Sequence, residues 1–67
     1  MATERQIVYL QQLVIDLGFS RHSRNVYIRE YIGKSVEETG LEGLTVAEAH
    51  DVINYFREMK YGFDAED

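Results

Sequence analysis

Apolar residues in the first part of the chain recur every three or four positions, at Ile7, Leu10, Val14 and Leu17. That spacing lays them along one side of a helix. Polar punctuation frames the run. Thr3 and Gln6 have the spacing of a capping box, in which the threonine hydroxyl accepts from the Gln6 amide and the glutamine side chain returns to the Thr3 amide. Gly18 offers a left-handed stop, and Phe19 beyond it is placed to fold back onto Val14. The pattern predicts a helix over about residues 4–17.

A second helix is expected to begin at Ser20 or Ser23, either of which suits a cap, and to run to Ile32 before Gly33. Ile28 and Ile32, one turn apart, mark its buried side, with Tyr31 beside them. The segment KSVEETGLEGLT follows. Ser35 and Glu38 have the spacing to cap a single turn, and Val36, Leu41 and Leu44 are spaced to plug one end of a core. Gly40 and Gly43 argue against a long element there. Thr45 and Glu48 make a second capping box, and Ala49, Val52, Ile53, Phe56 and Met59 line one narrow face behind it. No alternating run suggests a strand. The expectation is an all-α, compact three-helix domain over residues 1–62, with an extra short turn between helices 2 and 3. An acidic tail, residues 63–67, completes it, with Phe63 available to fold back.

The pattern contains more apolar positions than such a core requires. Val8 and Ile15 form a second row on helix 1, seven residues apart. Either helix 1 is central and touches both other helices, or the pair is a self-association or partner surface.

Composition narrows the picture. A chain of 67 residues with no cysteine and two histidines has neither a disulfide framework nor a zinc staple, so apolar packing alone must hold it. It contains no apolar run long enough to span a membrane and no charged region leading into an apolar signal segment. A cytoplasmic protein without a membrane partner is the expectation.

The net charge of −5 is unevenly spread. Residues 1–18 carry −1, residues 19–34 carry +3 and residues 35–67 carry −7. The basic stretch RHSRNVYIREYIGK therefore stands out. At roughly 100° per residue, Arg24, Tyr27, Tyr31 and Lys34 fall along one flank of helix 2, while His22, Val26 and Arg29 fall along the other. Glu30 and Lys34 have the spacing of a favourable helical ion pair. Arg21 and Arg24 are different, because a cation near a helix N-terminus costs about 0.3–1 kcal/mol. Tyrosine and arginine are enriched where binding energy concentrates. Arg21, Arg24, Tyr27, Tyr31 and Lys34 are thus candidate partner-binding residues. Helix 3 offers a candidate acidic face in Glu48, Asp51, Tyr55 and Glu58.

Catalytic chemistry finds little support. Ser20, Ser23 and His22 lack a glycine-flanked nucleophile motif, and the acidic residues lack the spacing of a calcium loop. Glu37, Glu38, Glu42, Glu48 and Asp51 gather at helix starts, where carboxylates are favoured. His50 reads as a helix-surface residue. Gly33-Lys34-Ser35 is not a phosphate-binding loop, since no upstream glycine or strand accompanies it. The reading is non-enzymatic, with no catalytic residue, metal or cofactor assigned.

The order TERQIVYLQQL, LGF, YIREYIGKS and GLTVAEAHDVINYFREM resembles a short helical module of bacteriophage and prophage accessory proteins. These include the GemA-like regulators of Mu-type phages, and similar segments are appended to phage recombination and replication proteins. The likeness spans residues 3–59. It implies an accessory role in phage or mobile-element DNA metabolism and brings no catalytic residues with it.

Two functions follow as expectations. One is a protein-interaction module that docks on a larger protein of replication, recombination or transcription, with self-association as a variant. The other is a nucleic-acid-binding module in which Arg21, Arg24, Arg29 and Lys34 meet phosphates and Tyr27 or Tyr31 stacks on bases. The acidic body and the divided basic flanks favour the protein partner.

Overall fold

The computed structural model describes residues 1–62. Three α-helices, α1 (Glu4–Leu17), α2 (Arg21–Ile32) and α3 (Val46–Tyr61), are joined by one 3₁₀ turn at Gly40–Gly43 between α2 and α3. The described residues contain no strand. The all-α three-helix domain and its extra turn are as expected. The proposed acidic tail, residues 63–67, lies outside the described residues.

Local chemistry fixes each helix end. Thr3 and Gln6 close a full capping box on α1, with Gln6 N–H donating to Thr3 Oγ1 at 3.1 Å and Thr3 N–H to Gln6 Oε1 at 3.0 Å. At the other end, Phe19 N–H donates to Val14 O and Gly18 N–H to Ile15 O, both at 3.0 Å. Those two bonds are a Schellman stop, which Gly18 permits at φ 76°. Ser20, not Ser23, caps α2; its hydroxyl accepts from Ser23 N–H at 3.1 Å. Thr45 and Glu48 form the second full box at the start of α3.

Two contacts between distant parts of the chain set the arrangement. Gln6 Nε2 donates to Val46 O at 3.1 Å, near the N-terminal ends of α1 and α3. Lys60 Nζ meets Asp16 Oδ2 at 2.7 Å near their C-terminal ends. The two helices therefore run parallel, side by side, and α2 returns antiparallel between them in sequence. Leu10, Leu13, Ile28, Val36, Leu44, Ala49, Val52 and Phe56 fill the shared core, with Ile7, Val14, Leu17, Phe19, Ile32, Ile53 and Met59 partly buried around it. Leu13 is a core residue that the expected stripe omitted. Its burial beside half-buried Val14 shows an apolar stripe wider than one row.

The segment after α2 is a plug. Val36, Leu41 and Leu44 point into the core, and Ala2 N–H donates to Leu44 O at 2.6 Å, tying the N-terminus to it. Ser35 does not cap through Glu38; its hydroxyl accepts from Glu37 N–H at 3.4 Å, and Gly40 N–H closes the turn on Val36 O at 2.8 Å.

Candidate protein-docking interface

The basic stretch divides in three. Lys34 lies beyond the helix, because α2 stops at Ile32 and Gly33 turns left-handed at φ 73°. Its ammonium therefore leaves Glu30 alone and reaches forward to α3. It donates to Glu48 Oε1 at 2.9 Å and to Gly43 O at 2.7 Å. The expected Glu30–Lys34 pair is accordingly replaced by Lys34–Glu48. The same Glu48 oxygen accepts Thr45 N–H at 2.9 Å, so one atom caps α3 and anchors the end of α2. The Thr45 amide first, then Lys34, holds the Glu48 carboxyl below its usual range. Lys60 first, then Gln12, does the same for Asp16. A carboxylate with a depressed folded-state pKa stabilises above its unfolded pKa and loses that contribution as pH falls through the folded one. Both ties thus persist at neutral pH and weaken only in acid, as pH falls through the depressed carboxylate range.

Of the two tyrosines, Tyr31 turns to α3 and Tyr27 to the α1–α2 connection. Tyr31 stacks on Tyr55 with ring centroids 4.3 Å apart and planes 5° from parallel. Tyr27 stacks on Phe19 at 4.8 Å, and Phe19 meets buried Phe56 edge-on at 5.6 Å. Tyr31 of the basic stretch and Tyr55 of the acidic face are therefore one seam between α2 and α3. Within the acidic face, Glu48 is held in its ion pair, Tyr55 is half-buried in the stack, and Asp51 and Glu58 remain exposed.

Arg21 and Arg24 go the other way, towards α1. Together with Gln11, Val14 and Ile15 they line a hollow of about 320 Å³. The same arginines, with Ile7 and Gln11, border a second hollow of about 340 Å³ that Glu37, Glu38 and Glu42 also line. Among the described residues no carboxylate lies within ion-pair distance of either guanidinium; the ion pairs found there are Lys34–Glu48 and Lys60–Asp16. Arg24 instead donates through Nε and Nη2 to Asn25 Oδ1, at 2.9 and 2.7 Å. Burial first, and the neighbouring Arg21 charge second, push the Arg24 pKa down.

Asn25 escaped the sequence reading. It is 6% exposed, the one buried polar residue among those described, and its carbonyl fixes the guanidinium of Arg24. A signal was present: an asparagine, a poor helix former, three residues before Ile28 on the buried stripe.

Val8 and Ile15 are not part of the core. They stand 58% and 70% exposed on the side of α1 away from Leu10 and Leu13, which excludes the reading that α1 buries both rows. With Tyr9, Glu4, Arg5 and Gln12, Val8 forms a shallow apolar shelf, and Ile15 links that side of the helix to the Arg21–Arg24 hollow. The outer α1–α2 face thus combines exposed apolar area with cations that have no carboxylate partner among the described residues.

Among the described residues, no three His, Asp or Glu side chains come together to hold a metal ion, and no helix is long and apolar enough to cross a membrane. Comparison with protein-family models, curated proteins and solved structures finds no match for this chain.

Proposed function

We propose that this protein is a non-enzymatic interaction module that docks on a larger protein through the outer face of α1 and the first turn of α2. One observation carries the reading: Val8 and Ile15 stand outward while Arg21 and Arg24, free of carboxylate partners among the described residues, flank Ile15. Apolar area rimmed by arginine is the composition of a contact surface. Lys34 and Glu48 are spent on the fold. The resemblance in its helical punctuation supports an accessory role for the module in phage or mobile-element DNA metabolism, in the cytoplasm. Its partner is then a protein of replication, recombination or transcription.

The nucleic-acid alternative is tested by titrating single- and double-stranded DNA at two salt concentrations and following fluorescence anisotropy. The protein is expected to show no saturable binding at low salt. Saturable binding that falls steeply with salt, and whose slope flattens when Arg21 and Arg24 are changed to Gln, is the result that defeats the protein-docking reading.

A further inference from the structure

The Arg21–Arg24 hollow is chemically asymmetric. Gln11, Val14 and Ile15 of α1 line it together with Arg21 and Arg24 at the start of α2. Both arginines occupy the positive end of the helix dipole, beside each other, where the fold gains nothing from a cation. Arg24 moreover donates two hydrogen bonds to the buried Asn25 carbonyl, which orient its guanidinium.

Resting on the interaction reading above, we propose that this hollow receives an acidic amphipathic segment of a partner protein. An apolar side chain of that segment seats on Val14 and Ile15, and a neighbouring aspartate or glutamate lies across Arg21 and Arg24. Charge complementarity selects this occupant. A guanidinium gains most from a carboxylate that it can grip through two parallel bonds, and a partly desolvated one gains more than an exposed one. The apolar area of Val14 and Ile15 adds the non-directional part of the affinity.

A nucleic-acid strand fits the same place poorly. Glu37, Glu38 and Glu42 line the adjoining hollow together with the two arginines. Duplex DNA carries a charge about every 1.7 Å along its axis, so it cannot meet the arginines without also approaching those carboxylates. A peptide with one or two carboxylates can point its remaining residues elsewhere.

The test uses the intact protein and a displayed library of random 16-residue peptides. Enriched peptides are expected to share Asp or Glu within one helical turn of Leu, Ile, Val or Phe. A synthetic copy of the most enriched peptide should shift the amide resonances of Val14, Ile15, Arg21 and Arg24. Its affinity should fall at least about tenfold, both in the Arg21→Gln/Arg24→Gln variant and separately in Ile15→Ser, and remain unchanged in Asp51→Asn. Two independent variants guard against loss of fold in one of them. Enrichment of basic peptides, or of peptides that map to the Tyr31–Tyr55 seam, overturns this inference while leaving the interaction reading standing. Enrichment of nothing overturns both. A DNA duplex that shifts the same four resonances, or a dimer by light scattering that Ile15→Ser dissociates, also overturns it, by giving the face to a different occupant.

Discussion

Replacing Phe56 with alanine is expected to remove a large part of the protein's stability. Phe56 is fully buried on α3, and its ring meets Phe19 edge-on beyond the end of α1. Phe19 in turn stacks on Tyr27 of α2, so Phe56 is linked through the α1–α2 connection to α2. Loss of a buried phenylalanine costs about 3–5 kcal/mol, the removed apolar area and the cavity together. A domain of this length holds only roughly 3–10 kcal/mol in total, at 0.05–0.15 kcal/mol per residue. Thermal melts followed by circular dichroism should show Phe56→Ala without a native baseline or with a transition displaced far downward. Ile15→Ala is the comparison, since it removes exposed apolar area and should stay within about 0.5 kcal/mol of the parent. Equal damage from the two would mean that Ile15 is structural.

Gly43→Ala should be the next most harmful change, for a reason of space. Gly43 has no positive φ, so its backbone suits any residue. A β-carbon there would lie 2.6 Å from Thr39 Cβ and closer still to the Thr39 hydroxyl. Thr39 Cβ is fixed to the backbone and cannot rotate aside, so the 3₁₀ turn must shift. Overpacking of this kind costs about 1–3 kcal/mol. The shift also moves Gly43 O, which holds the Lys34 ammonium at 2.7 Å. Urea unfolding of Gly43→Ala, Thr39→Gly and the double variant separates the causes. If the clash is with Thr39, the double variant is more stable than the sum of the singles by about 0.5–3 kcal/mol. Additive losses would place the strain elsewhere.

The helices were legible in the sequence because their ends are local chemistry. Thr3 with Gln6, Gly18 with Phe19, and Thr45 with Glu48 each act within a few residues, and each forms the bonds that its spacing implies. Val36, Leu41 and Leu44 were legible as a plug for a similar reason, being the apolar positions of an otherwise polar segment. The site was less legible because its geometry is set between helices. Lys34 finds Glu48 fourteen positions away, and Tyr31 finds Tyr55, only once α2 lies against α3. A helical wheel places Arg24, Tyr27, Tyr31 and Lys34 on one flank; the packed chain sends Arg24 to α1 and the other three towards Phe19 and α3. Conversely, the wheel separated nothing that bears on Arg21 and Arg24, which one hollow brings together. The exposure of Val8 and Ile15 needed the structure too, since a wide apolar helix is equally consistent with a central position.

The central claim is that the first turn of α2 carries its cations for a partner and not for the fold. The melting temperature of Arg21→Gln, measured beside the parent at low ionic strength, tests it most directly. Arg21 is exposed, sits at the first position of α2 and has no ion pair among the described residues. Removing its charge from the positive end of the helix should add about 0.3–1 kcal/mol, a rise of roughly 1–8 °C for a domain of this size. A fall of more than about 4 °C, equivalent to losing some 0.5–1 kcal/mol, would make Arg21 a structural residue and contradict the claim.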